Sequence, residues 1–313
     1  MCISLCILNI AAIHSISLDV QTPSPPCREC GQICSTDFDS IEEGHVYHLL
    51  RKKVNCDNMM HRIVFCPFKA IRPPPLKPPP HMVKNFTMDG HCVFGQLLYS
   101  DDSAPSAPLR YNASSFHAFL TRDSQGVSAN HYRDNDNLKT TLKKYLYRIK
   151  GKHVAIVGTQ DPWAEAIVLN LGAEKVTTIE YRDLYIEHSR VSVVTPFQHA
   201  SRFLNRTAES FDAVVSYSSI EHTGLGRYGD PLMPYGDIEA VAQIWCALKP
   251  RGYLFLAVPM NGNRTECILQ WNAHRLYSYL RMQHLTANFK VLEEIDLLDG
   301  RWPNTLYVLQ KLE

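Results

Sequence analysis

The stretch VAIVGTQDPWAEAIVLNLGAEKVTTIE, residues 154–180, decides the fold of this chain. It begins with an apolar strand over residues 154–157, turns at Gly158, continues as a helix over 163–171 and returns to a strand over 176–180. A strand, a helix and a second strand in about 30 residues are typical of a βαβ unit, whose two strands lie parallel in one sheet.

The same alternation of apolar strands and amphipathic helices extends in both directions. Further strands are predicted over 191–194, 212–217, 253–258, 289–296 and 305–311, and further helices over 136–149, 184–188, near Phe203, 237–248 and about 265–285. The pattern predicts an α/β Rossmann-like domain with a mostly parallel, seven-stranded sheet and an antiparallel terminal hairpin.

Two residues at strand ends suggest a nucleotide site. A parallel sheet of this kind binds ligands beyond the carboxyl ends of its strands. Gly158 follows the first strand, and Glu180 ends the second strand 22 residues later. That spacing is close to the interval of roughly 20 residues at which an acidic side chain accepts hydrogen bonds from ribose hydroxyls.

Three segments in order resemble class I S-adenosylmethionine-dependent methyltransferases. They are VAIVG at 154–158 with Gly172, Ala173 and Glu180, then FDAVVSYSSIEH at 211–222, then ALKPRGYLFLAVP at 247–259. The resemblance covers about half of the chain, and the terminal hairpin also fits that family. The whole C-terminal pattern, including residues 218–230, further resembles a nematode-expanded family of unknown function placed among methyltransferase-like proteins.

The resemblance implies methyl transfer from S-adenosylmethionine to a small molecule or glycan. It implies a cofactor held by Gly158, Thr159, Glu180, Tyr181, Ser216 and Tyr217. Glu221 and His222 are candidates for a general base pair, with His222 titrating near neutrality. The alternative for these two is structural, with Glu221 capping the next helix and His222 packing beneath the loop. No metal site is predicted.

Two other functions stay open. The first turn carries Pro162 and Trp163 where the family has glycines, and residues 195–198 lack the acidic side chain that often holds the adenine amino group. A non-catalytic, secreted or membrane-anchored interaction protein on the same scaffold is therefore the main alternative. Asp134 and Asp136 have the spacing found in lumenal glycosyltransferases, although they precede a helix, where capping by Asp136 is favoured.

Composition limits the partners. The 313 residues carry 32 Lys and Arg against 31 Asp and Glu, a net charge of +1, which argues against a nucleic-acid partner. We divide the chain into a signal peptide or anchor over 1–18, a cysteine- and proline-rich segment over 19–112, and a methyltransferase-like domain with a leading helix over 113–313. Membrane contact is expected only through the N-terminal apolar run, if that run is not cleaved.

The N-terminal segment suggests the secretory pathway. Six of ten cysteines lie between residues 27 and 92, and we interpret them as a disulfide-stapled subdomain. Zinc at Cys27 and Cys30, or reduced thiols in a cytoplasmic chain, are the alternatives. Residues 72–81 predict a stiff polyproline spacer. Four glycosylation sequons, at Asn85, Asn112, Asn205 and Asn263, fit a lumenal glycoprotein.

Overall fold

The computed structural model of the chain describes residues 54–65, 73–102, 108–127, 135–297 and 304–313. Several predictions lie outside these residues. They are the leader at 1–18, the zinc alternative at Cys27 and Cys30, Asp134, and the part that Cys27, Cys30, Cys34 and Cys66 play in the disulfide-stapled subdomain.

Twelve strands and eight α-helices make up the described part of the chain. The helices are α1 (Cys56–Phe65), α2 (Val83–Phe86), α3 (Ala113–Ser124), α4 (Asn135–Lys144), α5 (Trp163–Asn170), α6 (Pro196–Leu204), α7 (Gly236–Ala247) and α8 (Tyr279–Leu285). The strands are β1 (Cys92–Phe94), β2 (Leu109–Tyr111), β3 (His153–Val157), β4 (Lys175–Ile179), β5 (Leu184–Ile186), β6 (Val191–Val194), β7 (Phe211–Tyr217), β8 (Leu248–Pro259), β9 (Cys267–Gln270), β10 (His274–Leu276), β11 (Phe289–Leu297) and β12 (Asn304–Lys311). None of these helices is long and apolar enough to cross a membrane.

The main sheet has seven strands in the order β11-β12-β8-β7-β3-β4-β6. The strands from β8 to β6 pair in parallel, and β12 runs antiparallel to both of its neighbours. The predicted fold class is thereby confirmed: a mostly parallel seven-stranded sheet with an antiparallel terminal hairpin, as in class I methyltransferases.

Hydrophobic cores cover both faces of this sheet. Helices α1, α6, α7 and α8 contribute residues such as Met60 and Ile238 to one core. Helices α3, α4 and α5 contribute residues such as Phe116 and Leu138 to the other. Because parallel strands buried on both faces are nearly continuous apolar runs, the sequence made β3, β7 and β8 easy to predict.

Two predicted helices are wrong. Residues 184–188 hold the strand β5, which pairs in parallel with β2, so a partner more than 70 residues earlier decides their conformation. The predicted helix at 265–285 is instead β9, β10 and the short α8. Strand β9 pairs with the distant β1 and with its neighbour β10, and these hydrogen bonds between strands override the local helical pattern.

The leading helix differs in detail from its prediction. Helix α4 ends at Lys144, and a 3₁₀ turn, Leu146–Arg148, follows it. Asp136 lies in the first turn of α4 and does not cap it, because the helix begins at Asn135. The unpredicted α3 precedes it, and there Oδ1 of Asn112 accepts a hydrogen bond from the Ser115 amide at 2.9 Å.

Disulfide bonds join the N-terminal segment to the domain. Cys56 of α1 bonds to Cys246 of α7 with a Cα–Cα distance of 5.5 Å, and Cys92 of β1 bonds to Cys267 of β9 with 4.5 Å. For Cys56 and Cys92 the predicted self-contained disulfide subdomain is therefore wrong. Apolar packing of this segment on the domain brings the distant cysteines together.

The proline-rich stretch packs against the domain. The Pro74 carbonyl accepts a hydrogen bond from the Tyr99 hydroxyl at 2.8 Å, and the Pro75 carbonyl accepts one from Nε1 of Trp271 at 2.9 Å. Its end turns into a 3₁₀ helix, Pro80–Met82, so the prediction of an extended spacer is wrong there. The backbone carbonyls of these prolines act here as hydrogen-bond acceptors for side-chain donors.

Candidate functional site

A cavity of about 720 Å³ opens at the carboxyl ends of β3, β4 and β7. In the sheet, β3 lies between β4 and β7, so the chain adds strands on one side of β3 first and on the other side later. The cavity lies at this reversal. In doubly wound sheets this reversal leaves a crevice above the strand ends, which is the usual place for a ligand. A cavity of this size suits a nucleotide-sized molecule.

The turn after β3 forms the centre of the cavity wall. Gly158 has φ +74°, and a Cβ at this position would come within 1.7 Å of the Ser219 Oγ. The amide of Thr159 donates to Glu180, and its hydroxyl donates to the Asp161 carbonyl at 2.7 Å. Glycine is therefore required both by the backbone angle and by the loop after β7, which packs directly on it.

The Gly158→Ala substitution is expected to destabilise the fold by about 3 kcal/mol, from left-handed strain and overpacking against Ser219. Gly151 is a matched control, because it has φ +65° and open space around the Cβ position. Gly151→Ala should cost only the strain, about 1 kcal/mol. Urea unfolding measures both, and equal losses for the two variants would contradict the contact. Adding Ser219→Gly to Gly158→Ala should recover part of the loss.

Glu180 joins the ends of β3 and β4. Its Oε2 accepts a hydrogen bond from the Thr159 amide at 2.9 Å, and its Oε1 accepts one from the Arg182 amide at 3.0 Å. Burial raises the pKa of Glu180, while these backbone donors oppose the rise. Each carboxylate oxygen has a second lone pair, so the side chain is held in place and still able to accept from a ligand. Tyr181, 47% exposed, stands beside it at the cavity rim.

Aromatic side chains line the cavity next to Gly158. Trp163, the first residue of α5, packs edge to face against Tyr217 at the end of β7, with ring centroids 5.2 Å apart. The Tyr111 hydroxyl donates to Asp161 Oδ1 at 2.6 Å and so fixes the turn before α5. Trp163 and Tyr217 line the cavity, and the Ser219 side chain packs on Gly158 beside them.

The structure brings five of the six predicted cofactor residues to this one cavity. Gly158, Thr159, Glu180, Tyr181 and Tyr217 line it. Ser216 does not, because its fully buried hydroxyl donates to the Val157 carbonyl at 3.2 Å within the sheet. Successive side chains of a strand point to opposite faces, and strand periodicity alone did not show which face Ser216 would take.

Glu221 and His222 lie together in the 3₁₀ turn Ile220–His222. Glu221 is 1% exposed and accepts a hydrogen bond from the Ser218 hydroxyl at 2.7 Å. The Nδ1 of His222 donates to the Ala273 carbonyl at 2.5 Å, and its Nε2 lies 3.6 Å from Glu221 Oε1. Glu221 does not cap the next helix, because α7 starts only at Gly236.

Burial favours the neutral form of both members of this pair. It raises the pKa of Glu221 to about 7 and lowers the pKa of His222 to about 3. The expectation that His222 titrates near neutrality is therefore wrong. Since Nδ1 carries the proton given to Ala273, the Nε2 of His222 is an unprotonated acceptor in a residue that lines the cavity.

The loop after this turn is organised by residues that sequence analysis did not assign. Asp230 Oδ2 accepts hydrogen bonds from the amides of Gly224 at 2.6 Å, Leu225 at 3.1 Å and Gly226 at 3.3 Å. The Nε of Arg227 donates to Asp102 at 2.6 Å. The only signal in the sequence was an aspartate next to closely spaced glycines, which is typical of a carboxylate that closes a turn.

Residues 151–298 match the model of a family described as "Caenorhabditis protein of unknown function, DUF268". This confirms, for that part of the chain, the resemblance to a nematode family of unknown function. No curated protein matches the sequence.

Three solved structures illustrate the likeness in fold. The Burkholderia thailandensis 1,6-didemethyltoxoflavin-N1-methyltransferase, solved with S-adenosylhomocysteine, is 15% identical over 70% of this chain and 100% of its own, with a TM-score of 0.40. A hemolysin-like protein of Streptococcus thermophilus is 11% identical over 59% and 68%, with a TM-score of 0.42. An S-adenosylmethionine-dependent methyltransferase-like protein of Listeria monocytogenes is 14% identical over 56% and 97%, with a TM-score of 0.40.

Proposed function

We propose that this chain is an S-adenosylmethionine-dependent methyltransferase that acts on a small molecule or glycan. The observation that carries the proposal is one cavity, at the reversal point of the sheet, that joins the oriented Glu180 carboxylate, the turn at Gly158 and Thr159, and His222 with its unprotonated Nε2. These are an acceptor for ribose hydroxyls, a backbone turn at the end of the central strand and a hydrogen-bond acceptor for the substrate, in one connected space.

The residues present fit the cofactor. Glu180 is fixed by two backbone donors and retains lone pairs for ribose hydroxyls. Gly158 and Thr159 lie next to it, and Trp163 and Tyr217 give the adjoining space an aromatic wall suited to a cationic group. When bound, S-adenosylmethionine supplies an electrophilic methyl group, so the protein needs mainly to position the acceptor.

His222 is the candidate for orienting the methyl acceptor. Its ring is held by the Ala273 carbonyl, so Nε2 keeps one orientation and one protonation state at neutral pH. An acceptor hydroxyl or amine that donates a hydrogen bond to Nε2 is held in one orientation for in-line attack on the methyl group. A pKa of about 3 makes the imidazole too weak a base to remove the proton at neutral pH, so that proton passes to water as the methyl group is transferred. Glu221 lies too far from Nε2 for a hydrogen bond, so we assign it to holding Ser218 and the turn.

The two alternatives remain hypotheses without a supporting contact. A closed methionine end would support the non-catalytic scaffold, and Trp163 instead borders open space. The glycosyltransferase alternative needs both aspartates near the cavity, but Asp134 lies outside the described residues and Asp136 belongs to α4 on the opposite face of the sheet from α6 and α7.

Glu180→Gln is expected to weaken binding of S-adenosylhomocysteine about 30-fold, because hydrogen bonds to a charged acceptor contribute about 2 kcal/mol. Isothermal titration calorimetry of the full chain measures the change. Glu174→Gln, at an exposed position just before β4, is the matched control and should leave the affinity within about twofold. The absence of heat with unmodified protein at millimolar S-adenosylmethionine and S-adenosylhomocysteine would contradict the proposal.

We also infer that the chain matures in an oxidising, secretory compartment. The two disulfides support this inference, because stable disulfides are rare in reducing compartments. Three of the four sequon asparagines, Asn112, Asn205 and Asn263, are exposed and so accessible to glycosylation.

A further inference from the structure

The cavity reaches inward from Glu180 to a chamber between the sheet and the helices of one face. Met60 and Ile63 of α1 line it from the helix side, and Phe211 and Val214 of β7 line it from the sheet. We call this part the inner chamber. Its lining is mainly apolar, so a flat, weakly polar ring fits it better than a charged group.

One buried polar atom faces this apolar lining. His199 of α6 lines the cavity, is 8% exposed, and its Nε2 has no hydrogen-bond partner in the structure. The imidazole stacks on Phe211, with centroids 5.8 Å apart and an interplanar angle of 23°. Burial lowers the pKa of His199 to about 4, so the ring is neutral at pH 7. Buried polar atoms are normally paired, and no described residue supplies a partner for this one.

The wall that closes the chamber comes from outside the family-like region. Helix α1 is bound to α7 by the Cys56–Cys246 disulfide and by an ion pair in which Nη1 of Arg62 lies 2.6 Å from Oε1 of Glu239. Glu239 itself lines the cavity. The N-terminal segment is therefore a structural part of this binding space, held at two points along α1.

The position of the chamber relative to Glu180 identifies what enters it. Beyond β4 the next strand is β6, and α6 begins directly after it at Pro196, which also lines the cavity. A nucleoside whose ribose is held by Glu180, with its other substituent toward Gly158 on β3, directs its base toward α6. His199 lies one turn into that helix.

We propose that the inner chamber takes a 6-aminopurine ring, with His199 Nε2 accepting a hydrogen bond from the exocyclic amino group. This inference rests on the proposed function. Residues 195–198 contain no carboxylate to bind the amino group of adenine, and we assign that role to His199. Helix α1 then forms the outer wall of the base site. Met60 and Ile63 pack against the ring, and Phe211 holds the imidazole in place.

Adenosine and purine riboside, which differ only in the 6-amino group, test this inference by calorimetry on the full, oxidised chain. We expect unmodified protein to bind adenosine about tenfold or more tightly than purine riboside, the value of one hydrogen bond to a buried group. His199→Phe should bring the two affinities to within about twofold, and His199→Gln, which restores an acceptor, should recover part of the preference. His117→Phe, on the exposed side of α3, is the surface control and should keep the full preference.

The outcomes separate the two proposals. Equal affinity for both nucleosides in unmodified protein, binding of neither, or an unchanged ratio in both His199 variants would overturn the role of His199. Adenosine preference without any binding of S-adenosylhomocysteine would retain the base site and overturn the proposed methyltransferase function. If His199→Phe fails to fold in circular dichroism, His199→Leu takes its place: affinities for the two nucleosides within about twofold support the role, and an unchanged preference for adenosine overturns it.

Discussion

Asp237→Asn is expected to lower the free energy of unfolding by about 4 kcal/mol, because it leaves two buried guanidinium groups without a carboxylate. Asp237 is completely buried at the start of α7. Arg281 donates to it from Nε at 2.8 Å and from Nη2 at 2.7 Å, and Nε of Arg275 lies 3.8 Å away. The Tyr277 hydroxyl donates to the same carboxylate at 3.0 Å.

The same cluster supports the loop that carries His222. Arg275 also donates from Nη1 to the Thr223 carbonyl at 2.7 Å and from Nη2 to the Pro234 carbonyl at 3.1 Å. Losing the charge on Asp237 is therefore expected to loosen this loop as well as to destabilise the fold. Urea unfolding followed by circular dichroism measures the loss of stability.

Asp212→Asn is the matched control. Asp212 pairs with Lys249 at 2.8 Å, and both side chains are partly exposed, so this variant should lose less than about 1 kcal/mol. Similar losses for the two variants would mean that the Asp237 cluster does not stabilise the core as we infer.

The Asp237 cluster also predicts a pH dependence. Burial alone would raise the pKa of Asp237, but the charges of Arg275 and Arg281 outweigh it and lower the pKa to about 2. The folded pKa lies below the unfolded value of about 3.9, so this stabilisation is present above pH 4 and is lost as the pH falls toward 2. In the Asp237→Asn variant, stability should change less over that pH range than in unmodified protein.

Removing the Cys56–Cys246 disulfide by a double serine substitution is expected to cost about 4 kcal/mol, because the bond closes a very long loop in the unfolded chain. The two cysteines are 190 residues apart in sequence. The variant should also bind S-adenosylhomocysteine more weakly, because α1 carries Met60 and Ile63 at the cavity wall. Thermal unfolding and calorimetry under non-reducing conditions measure the two effects.

Peptide mapping without reduction provides the control for this prediction. It should recover Cys56 linked to Cys246 and Cys92 linked to Cys267. Alkylation of Cys56 in the unreduced protein, together with an unchanged melting temperature in the double serine variant, would contradict both the disulfide and the inferred compartment. A Cys92/Cys267 double serine variant, which leaves the α1 wall in place, should lose stability with less effect on ligand affinity.

Much of the domain could be predicted because its signals are local. The apolar runs of β3, β7 and β8 and the helices α5 and α7 follow from periodicity within single segments. The 267–276 region could not be predicted in the same way, because its strands exist through pairing with β1 and with each other. A short apolar segment adopts the conformation that its tertiary partner stabilises.

The candidate site shows the same division. The positions of Gly158 and Glu180 could be predicted from the sequence. Parallel neighbouring strands bring their carboxyl ends together regardless of the conformation of the loops. The face of the sheet on which Ser216 lies could not be predicted, and neither could the pKa values of Glu221 and His222. Both depend on which atoms surround each side chain. His199 went unnoticed because only burial distinguishes it from other histidines of the chain.

By itself, the sequence determined the seven strands of the main sheet and the two residues at its central strand ends. Only the tertiary structure decided that α1 closes the cavity, that Cys56 and Cys92 bond across 190 and 175 residues, and that Asp237 neutralises buried arginines. The physical reason is that side-chain periodicity and the hydrogen bonds within a helix act over a few residues. Burial, disulfide partners and charge neutralisation depend on how distant segments pack together.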